Sequence, residues 1–289
     1  MKPIPQVLAC LVFLGLLPAM DASAGWVIEQ VVRPGGGGDQ DRQVLTISAN
    51  RMKATTLDRA GKPAAAWITD LEAQTLTTVD YEKRTAATGT VREYAEAMRG
   101  ATQAAGGQMG EAMKQMQEAM KQMPPEQRQM MEQMMRQQMP GGAPSAEACR
   151  EPKVEVRPTG QTARIAGYSA TRYDVLEDGK FAEEVWLTKA ITAWQEIDLK
   201  KMERFTREMT KAMEGLPGCG RDRRVGMDPS DPTWRLASEG YPVRTVEHGE
   251  AAGMVVEVVK AESRGVPPAE FQPPAGFKRQ TLKELMTDR

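Results

Sequence analysis

The chain reads as an α+β protein, an antiparallel sheet into which helices are inserted. Three observations predict this. Short runs rich in β-branched residues follow one another with close turn signals, the pattern of a meander and not of βαβ units. Helical patterns interrupt those runs twice, first after Thr90 and again over 193–214. Between the two interruptions lies an unusual segment, Met109–Met139, which holds ten of the twenty methionines and no leucine, isoleucine, valine or aromatic residue.

The N-terminus carries Lys2, an apolar run Val7–Leu17 and a small-residue stretch ending at Ala22-Ser23-Ala24. This is the layout of a secretory signal peptide, with cleavage expected after Ala24 and export to the periplasm. Cys10 lies inside the apolar run and not after it, so a soluble exported protein is expected and not a lipid-anchored one. No later segment approaches the roughly 20 apolar residues of a spanning helix. The expected organisation is a signal peptide over 1–24 and a single domain over 25–289, interrupted by helical insertions at 90–140 and 193–216.

Strands are expected at Trp26–Arg33 and Gln43–Ala49, separated by the Gly35–Gly38 turn, and then at Arg51–Leu57, Ala64–Leu71, Thr75–Val79 and Lys83–Thr88. Thr90 and Glu93 have capping-box spacing, which opens a helix through about Arg99. The methionine segment then reads as two helices broken at Pro124-Pro125, with Pro125 and Glu126 suited to the first turn of the second. On a helical wheel Met109, Met113, Met116, Met120 and Met123 fall within roughly 80°, a single seam. Met130 and Met134 lie on one side of the second helix, and Met131 and Met135 about 100° further round. That second helix carries more apolar surface than one partner helix covers.

Strands resume at Lys153–Arg157, Thr162–Ile165 and Ala170–Leu176, and Asp178-Gly179 marks a hairpin to Phe181–Leu187. Over Ala193–Glu214 the residues Trp194, Ile197, Met202, Phe205, Met209 and Met213 recur at helical spacing. Strands are then expected at Thr233–Ala237, Val243–Glu247 and Met254–Glu262. A Pro-rich tail and a short helix near Thr281–Met286 close the chain.

Export leaves two cysteines, Cys149 and Cys219, and an oxidising compartment suggests one disulfide between them. The loop it would close spans about 70 residues, for which chain entropy predicts roughly 4 kcal/mol of stabilisation. Two free thiols are the alternative.

The stretch Ile165-Ala166-Gly167-Tyr168-Ser169-Ala170-Thr171-Arg172-Tyr173-Asp174-Val175, the strand Glu184-Val185-Trp186-Leu187 and the tail Phe271-Gln272-Pro273-Pro274-Ala275-Gly276-Phe277-Lys278 resemble an uncharacterised family of exported bacterial proteins. The Pro124-Pro125-Glu126-Gln127-Arg128 break looks like an insertion found in such proteins. That family is similar to periplasmic half-barrels of the LolA/LolB/RseB type. The resemblance implies a strongly curved antiparallel sheet, a LolA-like half-barrel, with helices over its open side. It further implies a cavity that takes lipid chains, acylated partners or envelope proteins, and it brings no catalytic residues.

Methionine is unbranched and polarizable, which makes it an adaptable apolar surface as well as a soft sulfur ligand. Three readings of the segment therefore compete. It is flexible structural filler, or Met113, Met116, Met120, Met123, Met130, Met131, Met134 and Met135 form a binding surface for a lipid, an acyl chain or a protein partner. In the third reading Met113, Met116, Met120 and Met123 hold Cu(I) or Ag(I).

No cofactor is expected, and no enzyme. His248 is the one histidine, so neither a Ser-His-Asp constellation nor a histidine-based zinc site is available. Glu183 and Glu184 are adjacent on a strand and point to opposite faces. Asp70, Asp80 and Asp174 sit at strand ends or turns and are expected to bond the backbone. Trp26, Trp67, Trp186 and Tyr173 are expected in the core, or lining a lipid-sized cavity where a side chain points into the concave face. With 38 basic and 39 acidic residues interspersed, the chain lacks the basic patch of a nucleic-acid binder.

Overall fold

The computed structural model describes residues 23–34, 39–102, 152–213, 232–248 and 253–287. The first six strands run as a meander: β1 (Ser23–Pro34), β2 (Asp41–Ser48), β3 (Arg51–Leu57), β4 (Pro63–Asp70), β5 (Thr75–Asp80) and β6 (Thr85–Thr90). Helix α1 follows over 91–102. A second meander holds β7 (Val154–Ile165), β8 (Tyr168–Glu177) and β9 (Lys180–Thr188). After it come a 3-10 turn at Ala193–Glu196, α2 (Leu199–Met213), a 3-10 turn at Pro232–Arg235, α3 (Leu236–Glu239), β10 (Tyr241–Glu247) and β11 (Met254–Val266). The chain ends with a 3-10 turn at Pro268–Phe271, β12 (Lys278–Gln280) and α4 (Leu282–Thr287).

All twelve strands form one sheet, in the order β12-β6-β5-β4-β3-β2-β1-β11-β10-β9-β8-β7. Every pairing is antiparallel except β12 on β6. The two meanders are zipped together by β1 and β11, whose register runs from Ser23 opposite Val266 to Pro34 opposite Met254. β1 therefore begins two residues ahead of Gly25, the expected new terminus.

Two-residue turns set the hairpin registers. Ala49-Asn50, Ala166-Gly167 and Asp178-Gly179 all have positive φ, as the type I′ turns of twisted hairpins require. Register shifts at Glu29/Gln30, Pro158/Thr162 and Pro242/Arg244 mark bulges, which bend a sheet. The bending is visible in one contact: the Tyr168 hydroxyl of β8 donates to the Ala261 carbonyl of β11 at 3.0 Å. Three strand spacings in a flat sheet would put these strands roughly 14 Å apart, beyond a tyrosine's reach.

The main core lies on the face that carries α2. It joins Ile28, Ile47, Leu76 and Val258 from the strands to Met202, Phe205 and Met209 from the helix. On the opposite face the C-terminal tail crosses the first meander and buries Phe271 among Ala66, Ile68, Val79 and Ala86. Lys53 pairs with Glu270 at 2.8 Å along that path, and the Lys278 amide bonds the Arg84 carbonyl where β12 docks.

Four secondary-structure elements depart from the sequence expectations. Thr233–Ala237 is not a strand but a 3-10 turn leading into α3. Pro232 opens it, Leu236 packs onto Val175, Val185 and Leu187, and β9 already has β10 and β8 as neighbours. The helix expected over Ala193–Glu214 is split, because Asp198 caps α2 by accepting from the Lys200 and Lys201 amides at 2.9 and 3.3 Å. The two strands expected at Lys153–Arg157 and Thr162–Ile165 are one bulged strand. β12 was not expected at all.

Among the described residues no helix is long and apolar enough to cross a membrane. The methionine segment, Cys149 and Cys219 lie outside the described residues.

Candidate functional site

The face under α2 is where apolar side chains collect without being sealed. The helix presents Met202, Phe205 and Met209 at three-to-four spacing, so all three point to one side and are buried. Around the buried cluster stand Trp26, Tyr94, Tyr168, Trp186 and Trp194, each packed against it and each only partly covered. Trp67, expected in the core, is 39% exposed and meets Tyr94 of α1 edge-on at 5.8 Å. Trp67 faces Ala54 across β3, two residues from Met52, which packs on the cluster, so it stands at the rim of the same face.

At the centre, Trp194 lies 5.4 Å from the Tyr241 ring. Its indole N–H is buried without a hydrogen-bond partner. Tyr241 is itself buried, and burial pushes its hydroxyl well above the usual tyrosine range, so it stays protonated.

A polar clamp seats the front of α2 over this face. The Asn50 side chain accepts from the Asp198 amide at 2.6 Å and donates to Glu72 at 2.9 Å. The Asn50 amide donates to the Glu196 carbonyl at 2.9 Å, and Lys201 of α2 pairs with Glu72. The Lys201 bond is the largest influence on Glu72 and holds its carboxyl below the ordinary value of 4.5. The left-handed backbone of Asn50, φ 63°, aims its side chain at the helix start. Asn in a two-residue turn is legible in sequence, but its distant partner is not.

On β8 and β9 a charge network borders the same cluster. Arg172 bonds Asp174 at 2.7 Å and Glu184 at 3.0 Å, and the Trp186 indole N–H donates to Glu184 at 2.6 Å. Asp174 thus pairs with a side chain and not with the backbone as expected. Asp70 and Asp80 do accept backbone amides, from Glu72 and Ala73 and from Lys83. For Asp70 burial is the largest influence and would raise the carboxyl, but the Ala73 amide and Arg51 outweigh it, so the net shift is downward. His248 is exposed at the end of β10 and stacks on Phe181 at 4.6 Å.

None of the methionines singled out in the sequence can be placed against this face, since Met113, Met116, Met120, Met123, Met130, Met131, Met134 and Met135 lie outside the described residues. What the structure does establish is where their segment attaches. Residues 103–151 leave α1, whose Tyr94 and Ala97 pack with Ala87 of β6, and return at β7, the opposite edge of the sheet. Among the described residues no group of His, Cys, Asp and Glu is arranged to hold a metal ion.

No protein-family model matches the chain, and no curated protein matches it. Among solved structures it is similar to an uncharacterized conserved protein from Thermus thermophilus, at 9% identity over 90% of this chain and 91% of that one, with a TM-score of 0.42. It is also similar to the Pseudomonas aeruginosa MucA/MucB complex structure, at 11% identity over 89% of this chain and a TM-score of 0.35. The chain spans 58% of that protein's length. A domain from Vibrio parahaemolyticus, classed provisionally with outer membrane lipoprotein-sorting proteins, matches at 8% identity over 86% of this chain and 89% of that one, with a TM-score of 0.27. At these TM-scores the likenesses carry no argument about function, and the fold stands on its own strand pairing.

Proposed function

We propose that the protein is an exported, non-enzymatic binding protein of the cell envelope, which takes an acyl chain or an apolar protein segment on the α2 face of its curved sheet. One observation carries this reading: five aromatic side chains surround a single buried cluster on one face and remain partly uncovered. Aromatic and methionine surfaces of this kind suit ligands that are apolar and variable in shape.

The proposal extends to the methionine segment. Met113, Met116, Met120, Met123, Met130, Met131, Met134 and Met135 are proposed to contribute to the same ligand or partner surface, and Cys149–Cys219 to form the disulfide that ties their segment to the end of α2.

The test is a titration with a fluorescent naphthylamine probe and then with a fatty acid as competitor. The parent chain should bind saturably, and Trp67→Ser, at an exposed position, should weaken binding about tenfold, equal to about 1.4 kcal/mol. Absence of saturable binding, or an unchanged affinity in Trp67→Ser, overturns the reading. Elemental analysis of the same preparation addresses the alternative: stoichiometric copper, lost on Met113/Met116/Met120→Leu substitution, would replace it with soft-metal binding.

A further inference from the structure

A second site lies on the other side of the sheet. Ser169, Thr171 and Tyr173 alternate along β8 with Tyr168 and Ala170, which pack on the α2 side, so they stand on the reverse face. With Lys189 and Glu239 they line a cleft of about 350 Å³ between the end of β9 and α3. Arg164 of β7 sits directly opposite Ser169 in the strand register, which places it on the same face at the border of the cleft.

The charged residues of this cleft are exposed to solvent. On the α2 side of the same strand Arg172 has acidic partners in Asp174 and Glu184. Among the described residues neither Lys189 nor Arg164 forms an ion pair, and Lys189 does not pair with Glu239 although both line one cleft. Glu239 is held in place from two directions. The Tyr173 hydroxyl donates to it at 3.4 Å, and the neighbouring Gly240 is seated so tightly that an added Cβ would lie 2.6 Å from the Thr188 carbonyl oxygen. Burial, then the Glu239 charge, raises Tyr173 above its ordinary value of 10.0, so it stays a donor even in alkaline solution.

We propose that this cleft binds a small zwitterion carrying a phosphate ester and an ammonium group, the phosphate held by Lys189, Arg164 and the Ser169 and Thr171 hydroxyls and the ammonium by Glu239. A simple anion would face the Glu239 carboxylate, and a simple cation would face Lys189 and Arg164. Two cations and two hydroxyls match a phosphate ester, which spreads its charge over several acceptor oxygens, better than a carboxylate. A cleft of a few hundred Å³ accommodates a molecule of this size.

The experiment is an amide NMR titration of the full chain with O-phosphoethanolamine, inorganic phosphate and ethanolamine, each alone. O-phosphoethanolamine should shift Ser169, Thr171, Lys189 and Glu239 saturably, and bind at least tenfold more tightly than either half. Lys189→Met and Glu239→Gln should each weaken it about tenfold, while the amides of β1 to β6 stay unshifted as the sign that the fold is kept. A parallel arm with phosphatidylethanolamine vesicles separates sources: vesicle binding lost in Lys189→Met identifies a lipid headgroup, and its absence identifies a free metabolite. The proposal is overturned if no saturable shift occurs at these residues, if phosphate alone binds equally well, or if both variants bind as the parent does. None of these outcomes bears on the α2 face, so the two readings stand or fall separately.

Discussion

Replacing Asn50 by alanine removes both side-chain bonds that seat α2, to the Asp198 amide at 2.6 Å and to Glu72 at 2.9 Å. Bonds of this kind are worth about 1 kcal/mol each after competition with water. Alanine must also hold the φ of 63° that Asn tolerates, at a further cost of about 1 kcal/mol. Asn50→Ala should therefore lower unfolding free energy by about 3 kcal/mol, and Asn50→Gly, which accepts that backbone freely, by about 2 kcal/mol. Urea unfolding followed by tryptophan fluorescence measures both, since Trp194 sits in the 3-10 turn just ahead of the clamp. Hydrogen exchange should localise the loss to α2. If both variants stay within about 0.5 kcal/mol of the parent, the clamp does not seat the helix. If alanine is no worse than glycine, the backbone component of the reasoning fails.

Three other expectations follow from the same geometry. Phe205→Ala empties a position 7% exposed in the main core and should cost about 3–5 kcal/mol by urea unfolding, whereas Met209→Leu should cost under about 1.5 kcal/mol. Gly89→Ala would place a Cβ 2.5 Å from Leu282 and should cost about 1–3 kcal/mol; in a Leu282→Ala background the same change should cost less, and equal costs in both backgrounds would refute the contact. Glu93 is held below its ordinary value of 4.5, first by the Thr90 amide and then by the Thr90 hydroxyl. A lowered carboxyl contributes stability that is present above the ordinary value and lost as pH falls through the folded one. The thermal midpoint gap between parent and Glu93→Gln should accordingly be largest near neutral pH and close as the pH falls below the ordinary value of 4.5.

Local order was readable from local residues. The Thr90–Glu93 capping box, the Asp178-Gly179 hairpin and the methionine and phenylalanine stripe of α2 each depend on neighbours within four positions, and each appears as expected. The errors share a cause. Thr233–Ala237 is a five-residue run, too short for periodicity to separate strand from helix, and its Leu236 packs on the face of the sheet against Val175, Val185 and Leu187. Lys278–Gln280 has nothing strand-like about it, and becomes a strand because Phe271 and Phe277 anchor the tail across the sheet to β6. Trp67 reads as core because it alternates correctly, but which face of a sheet stays uncovered is not encoded in alternation.

The candidate sites divide in the same way. The apolar stripe of α2 was legible, but the aromatic strand residues read as core, and the binding surface was expected from the methionine segment, which lies outside the described residues. The pairing of Asn50 with Asp198, of Arg172 with Glu184, and the meeting of Lys189 with Glu239 could not be anticipated. By itself the amino-acid sequence determined the strand meanders, their tight turns and the buried stripe of the helix, because these arise from period and from backbone preference over a few residues. Only the tertiary structure decided that β11 closes onto β1 and that the sheet bends to bring β8 to β11. It alone put Lys189 and Glu239 on one cleft, with Arg164 opposite Ser169 in the neighbouring strand. Those outcomes depend on contacts between residues far apart in the chain, where the net balance of packing and desolvation, and not local propensity, selects the partner.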